Sequence, residues 1–212
     1  MKKIIYSIAL LFFCFQTVVA QTDAKADKIV SNLLAEARGN AIKTNFKLAI
    51  SEKSNSQAEV SMGTFTIKGN KFVLEMVDMK VYFDGKTQWA YMAKNNEVSV
   101  TEPSEKELSE TNPMAILSGF KAKSIIRFSS KVKSAQNYCI EMTPKVKNQD
   151  VAKIEVQIAK SNGNLYSIKL TNKNGSASLL SLSNFQKNVK VADAIFVFNS
   201  AKHKGVEVND LR

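Results

Sequence analysis

The sequence predicts a mostly β fold: an antiparallel sheet or half-barrel accompanied by a few short helices. Three observations carry this. Apolar residues recur with a period of two through most of the chain, as in Phe46, Leu48 and Ile50 or Phe72, Leu74 and Met76. Turn signals such as Gly69-Asn70, Asp84-Gly85, Asn162-Gly163 and Asn174-Gly175 bound these runs at the spacing of consecutive hairpins. Helical periodicity is confined to one early segment and one insert among the strands.

In chain order, Asp23 precedes Ala26, Ile29, Val30, Leu33, Leu34 and Ala37, the spacing of one helix face. Asp23 suits the start of this helix and Gly39 its end. The period then changes to two. Strands are expected around Phe46–Ile50, Phe65–Ile67, Phe72–Met76, Met79–Phe83, Trp89–Tyr91 and Val98–Val100. Glu102-Pro103-Ser104 ends this series, and Ser104 with Glu107 reads as a capping box. Asn112-Pro113 opens a second short helix, with Met114 and Leu117 on one face and Gly119 as its stop. Strands resume at Ile125–Ser129, Tyr138–Thr143, Ile154–Ile158, Tyr166–Leu170 and Leu180–Leu182. A helical turn at Val191–Ala194 leads into Ile195–Phe198, and Gly205–Asp210 forms the tail. About ten strands result, with no internal repeat.

The first twenty residues read as a secretion signal rather than as part of the fold. Lys2 and Lys3 precede an apolar run from Ile4 to Phe15, and Val18-Val19-Ala20 suits cleavage before Gln21. The bulky Phe13 before Cys14 does not suit lipidation of that cysteine. The remaining 192 residues are expected to form a single domain, 21–212. Cys139 is then the sole cysteine, which excludes an internal disulfide. Loss of the leader leaves 28 basic against 19 acidic residues, a balance that favours anionic partners. Export and the scattering of lysines over many strands argue against nucleic acid. Lysines within many strands, and a chain ending in Leu211-Arg212, argue against an outer-membrane barrel.

Residues suited to catalysis are scarce. The single histidine, His203, lies between Lys202 and Lys204 in a loop-like stretch. One histidine and one cysteine cannot form a His/Cys metal cluster. The densest acidic group, Glu102, Glu105, Glu107 and Glu110, is explained by a helix start. Neither a Gly-x-Ser-x-Gly elbow nor a glycine-rich phosphate loop occurs. The expectation is a binding protein without catalytic, metal or cofactor site. Composition alone leaves two interiors equally open, a filled sandwich and an apolar pocket: after the leader about 41% of residues are hydrophobic, an ordinary share.

One ordered set of motifs tips that balance towards the pocket. Gly63-Thr64-Phe65 is followed by Phe72-Val73-Leu74, then Asp84-Gly85-Lys86 with Trp89-Ala90-Tyr91. Asn112-Pro113, Phe196-Val197-Phe198 and Gly205-Val206-Glu207-Val208-Asn209-Asp210 complete it. In this order the chain resembles the LolA-like family of periplasmic lipoprotein carriers. The resemblance implies a curved antiparallel sheet forming a half-open barrel, covered by the N-terminal helix and short lid helices. It implies a periplasmic monomer that takes acylated lipoproteins from an inner-membrane ABC transporter and shields their acyl chains on the way to the outer membrane. A LolA-like lipid or lipoprotein sensor and an exported structural β-protein with a filled core are the alternatives.

Strand parity and the family's aromatic positions nominate a lipid-binding wall of Phe65, Ile67, Phe72, Leu74, Met76, Val81, Phe83, Trp89 and Tyr91, with Met114 and Leu117 on the lid. The chain departs from the family at the turn Lys68-Gly69-Asn70-Lys71, which lacks the family's arginine and proline. Lysine cannot make the planar fork of bonds that arginine makes. Lys68 and Lys71 are therefore expected to meet a headgroup or partner instead of latching the lid.

Overall fold

The structure, a computed structural model, describes residues 21–53, 57–104, 107–108, 112–146 and 150–212. The predicted leader and the acidic positions Glu105 and Glu110 lie outside the described residues. The chain opens with α1 (Ala24–Gly39), followed by β1 (Ala41–Ser51), β2 (Glu59–Lys68), β3 (Lys71–Met76), β4 (Met79–Phe83), β5 (Gln88–Met92) and β6 (Glu97–Thr101). Helix α2 (Pro113–Lys123) interrupts the strands. Then come β7 (Ser124–Phe128), β8 (Asn137–Pro144), β9 (Val151–Ala159), β10 (Leu165–Asn172), β11 (Ala177–Lys187) and β12 (Glu207–Asp210).

The twelve described strands form one sheet in the order β12-β6-β5-β4-β3-β2-β1-β11-β10-β9-β8-β7. The sheet is curved and does not close. Every pairing is antiparallel except that of β12 with β6, which is parallel. The strand count thus exceeds the expected ten, and the C-terminal tail supplies the one parallel edge. Strand β1 sits in the middle, paired with β2 on one side and with β11 on the other.

Helix α1 forms where its periodicity requires. The Asp23 carboxylate accepts from the backbone N–H of Lys25 (2.8 Å) and Ala26 (2.9 Å), satisfying two orphan donors of the first turn. Its buried face is Ala26, Val30, Leu33, Leu34 and Ala37. Helix α2 begins as expected, with Asn112 accepting from Met114 N (2.9 Å). It does not stop at Gly119 but runs on to Lys123. Gly119 has no left-handed φ, and the next residue, Phe120, packs against the core and carries the helix onward. The capping box is present: Glu107 Oε2 accepts from Ser104 N (2.8 Å) and Ser104 Oγ (2.7 Å).

Both helices lie on the concave face of the sheet, over a core that includes Phe65, Ile67, Phe72, Leu117, Met142, Ile154 and Ile158. Lys121 Nζ pairs with Asp27 at 2.8 Å, and Arg38 Nη2 donates to Ser118 Oγ at 3.4 Å, so the two helices are tied to each other by polar contacts. A second cluster lies on the convex face. There Val73, Tyr82 and Val98 pack against Phe196 and Phe198, which come from the C-terminal segment, with Trp89, Tyr91, Val191 and Val206 alongside. This segment crosses the sheet as a strap made of two 3-10 turns, Asp193–Phe196 and Ser200–Lys202. The run Ile195–Phe198 is therefore a helical turn continuing into an extended link that buries its two phenylalanines.

Candidate functional site

Pairing register fixes which side chains share the concave face. Phe46 of β1 stands opposite Gly63 of β2 and Leu182 of β11, and Leu48 stands opposite Ser61 and Leu180. Phe65 stands opposite Leu74, which in turn faces Val81. Phe46, Leu48, Phe65, Leu74, Leu180 and Leu182, together with Met76, Ile168, Leu170 and Ile116 of α2, bound an open cavity of about 390 Å³. Its deep wall is buried (Phe46, Phe65, Ile168, Leu182), whereas Leu48, Leu74, Met76, Leu170 and Leu180 are half-buried and Ile50 is exposed at the rim. Every lining residue is apolar except Ser61 and Ser178.

Gly63 is a requirement of this wall. A Cβ built there would lie 1.9 Å from the Glu75 carbonyl oxygen and 2.9 Å from the Phe46 ring. The glycine lets β2 and β3 approach while the Phe46 ring lies over it. On the next positions toward α1, Thr44 is buried and donates its hydroxyl to the Ser183 carbonyl at 2.8 Å, beside a break in the β1–β11 register. This satisfies a carbonyl that the regular ladder would otherwise leave free.

The nominated residues divide into four groups. Phe65, Leu74 and Met76 line the cavity. Ile67, Phe72, Val81 and Phe83 share their face but are buried in the packed core, with Phe72 stacked between Phe65 (5.7 Å between ring centroids) and Phe83 (5.3 Å). Trp89 and Tyr91 do not face the concave side. The turn after β4 pairs Phe83 with Gln88, which sets Trp89 opposite Tyr82 and leaves Ala90 on the concave face. Both aromatics therefore belong to the convex cluster under the strap. On α2, Leu117 is fully buried and Met114 borders another cavity of about 440 Å³ beneath the ends of α1 and α2, so Pro113 and Ile116 are the helix residues at the apolar cavity of the central strands.

Lys68 and Lys71 are also placed differently from the expectation. Their side chains lie on the convex side and both hold Asp193 of the strap, at 2.7 and 2.8 Å. Hydrogen bonds from the Lys68 and then the Lys71 ammonium group, together with their charges, lower the Asp193 pKa from 3.8 to about 2. The two lysines clamp the strap, a contact within the chain that the expected headgroup or partner role did not foresee. The tie between the helices comes instead from Arg38 and Lys121. His203 is half-buried, not free in a loop: its ring stacks on Phe198 at 4.8 Å and lies 4.2 Å from Tyr91. The Tyr91 hydroxyl donates to Asn96, which donates to the Lys204 carbonyl, fastening the same segment to the β5–β6 turn. Cys139 is buried.

The site residues missed from sequence are those of the central strands: Phe46, Leu48 and Ile50 of β1, Ile168 and Leu170 of β10, and Leu180 and Leu182 of β11. Each run shows the right alternation. What the sequence lacks is the knowledge that β1 and β11, separated by most of the chain, are neighbours.

The curved sheet thus bounds an apolar, solvent-open concavity whose lining is polar only at Ser61 and Ser178. Among the described residues no three His, Cys, Asp or Glu side chains are placed to hold a metal ion. The model of the family described as outer membrane lipoprotein carrier protein LolA matches residues 16–175, and the chain belongs to that family. An uncharacterized conserved protein from Thermus thermophilus superposes with a TM-score of 0.58 at 10% identity, over 88% of this chain and 99% of that one. The Pseudomonas aeruginosa MucA/MucB complex matches with a TM-score of 0.50 at 15% identity, over 84% of this chain and 62% of that one. A LolA superfamily protein from Nitrosomonas europaea matches with a TM-score of 0.42 at 13% identity, over 82% and 97% of the two chains. At these identities the likeness is one of fold. No curated protein matches the chain.

Proposed function

We propose that the protein is a periplasmic carrier that shields the acyl chains of lipoproteins and ferries them from the inner to the outer membrane. Residues 21–212 act as one lipid-binding domain once the leader of residues 1–20 is removed. Cargo is received from an inner-membrane ABC transporter, and binding involves no catalysis. The observation that carries this reading is the apolar cavity of about 390 Å³, open to solvent and floored by five central strands. Its half-buried Leu and Met side chains can repack around a flexible chain, and each methylene taken out of water contributes about 0.8 kcal/mol.

Titration with an environment-sensitive hydrophobic dye tests the reading. Saturable binding and displacement by a synthetic lipopeptide are expected. Absence of saturable binding, or displacement by the unacylated peptide as readily as by the lipopeptide, would refute it.

A further inference from the structure

One cross-strand row bounds the apolar cavity where β1 ends. Ile50 of β1 stands opposite Ser178 of β11, which in turn faces Leu170 of β10. On its other side Ile50 stands opposite Glu59, the first residue of β2. Directly opposed residues share a face of the sheet. The Glu59 side chain therefore lies on the concave side, two positions along β2 from Ser61 of the cavity lining. Ile50 is 48% exposed and Glu59 is exposed, so this row is the rim. Strand geometry sets Glu59 about 7 Å from Ser61 and about 10 Å from Ser178. No charged side chain lines the cavity itself. At the rim the Glu59 carboxylate and the hydroxyls of Ser61 and Ser178 have no hydrogen-bond or ion-pair partner among the described residues. The bend after β1 adds Glu52 and Lys53, one charge of each sign.

We propose that Glu59 makes the cavity selective for cationic amphiphiles, chains whose root carries a primary ammonium group. The inference rests on the carrier reading given above and names the head-group chemistry of its ligand. A chain seated among the Leu, Ile and Phe side chains of the lining leaves its root, and whatever the root carries, at the rim. An ammonium group there only donates hydrogen bonds. Glu59 supplies the countercharge, and the two serine hydroxyls are further acceptors. A carboxylate or phosphate head would meet like charge. A neutral head would displace water from the Glu59 carboxylate and return less to it. The chain as a whole gives the opposite bias, because without the leader it carries 28 basic against 19 acidic residues. The rim and the net charge thus predict opposite orders of affinity.

Displacement of a hydrophobic dye by dodecylamine, dodecanol and dodecanoic acid tests the inference. At about pH 8 the amine is cationic and the acid anionic. Wild-type protein is expected to bind the amine about two- to fivefold tighter than the alcohol, and the acid more weakly than the alcohol. These differences should shrink between about 50 and 500 mM salt. Glu59→Gln should abolish the preference for the amine, and Glu59→Lys should reverse it. Glu59 does not line the cavity, so dye binding itself should stay at the wild-type level in both variants, which also certifies their fold. Two further pairs identify the source of the ammonium group. A lipopeptide with a free terminal amine against its acetylated form reads a lipoprotein terminus. Lysophosphatidylethanolamine against lysophosphatidylglycerol reads a phospholipid head. Preference for the amine in either pair supports the inference and names the source, and preference in neither overturns it. Wild-type protein that binds dye but takes the acid as tightly as the amine overturns the selectivity while the carrier reading stands. A Glu59→Gln variant that keeps the wild-type order does the same. Protein that binds no dye sinks the carrier reading and the selectivity with it.

Discussion

Introducing a charge at Leu74 tests the cavity most directly. Leu74 stands in the cavity wall between Phe65 of β2 and Val81 of β4. With about 30 Å³ for each methylene-sized group, the share of one water in the liquid, the cavity of about 390 Å³ takes roughly thirteen such groups. At about 0.8 kcal/mol each, their transfer is worth about 10 kcal/mol. Association costs at least about 4 kcal/mol of this. The net is then at most about 6 kcal/mol, so the Kd for one chain is tens of micromolar or weaker, which permits release. In Leu74→Glu an incoming chain would strip water from a carboxylate that has no partner. That costs about 3 kcal/mol or more, a loss of about a hundredfold in affinity. Because Leu74 is half-buried beside an open cavity, the empty variant keeps its carboxylate hydrated and should fold. The assay is dye displacement by a synthetic lipopeptide, with circular dichroism and thermal melting to establish the fold. Leu74→Met conserves volume and should bind within about threefold of the wild type. A folded Leu74→Glu protein that binds lipopeptide like the wild type would show that the chain lies elsewhere.

Gly63→Ala places a Cβ against the Glu75 carbonyl and the Phe46 ring, so a loss of about 1–3 kcal/mol is expected in denaturant unfolding; an unchanged midpoint would contradict the close approach. The Asp193 pKa is held below its unfolded value of 3.8, so the strap clamp contributes fully above about pH 4 and is lost as pH falls toward 2. Trp89 emission should report that step, and in the Lys68→Ala, Lys71→Ala double variant the step should vanish; an identical step there would place its origin elsewhere. Lys121→Ala removes the ion pair between α2 and α1 and should speed hydrogen exchange in α2 while β1 and β11 keep their protection. Equal acceleration in the strands would mean that the helices do not open as a unit.

Much of the fold is legible in the sequence because its local signals agree. The Asp23 cap, the 3.6-residue face of α1, the Asn112-Pro113 start of α2 and the positive-φ turns at Gly69, Gly85, Gly163 and Gly175 all stand where they were expected. Parity within each of β2, β3 and β4 is also correct. Parity does not carry across a turn, because the register chosen by the turn decides it. The Asp84–Thr87 turn brings Gln88, not Trp89, opposite Phe83, and so sends the two prominent aromatics of β5 to the convex side. The small Ala90 and the otherwise unpartnered Phe196 and Phe198 were the available hints. The clamp formed by Lys68 and Lys71 was not legible for a related reason: Asp193 lies more than a hundred residues away. The cavity floor was missed because the pairing of β1 with β11 is a property of the assembled sheet.

That same pairing sets an order of assembly. The deepest wall of the cavity joins Phe46 and Leu48 to Leu182 and Leu180. Hairpins β2–β6 and β7–β10 can form from neighbouring residues, but the seam between β1 and β11 closes a loop of well over a hundred residues and so comes late. A chain emerging amino end first, whether from the ribosome or across a membrane, therefore holds no finished cavity until nearly all of it has emerged. Under the proposed carrier reading, a greasy ligand would meet its site only once the molecule is nearly complete, because that site is among the last parts to form.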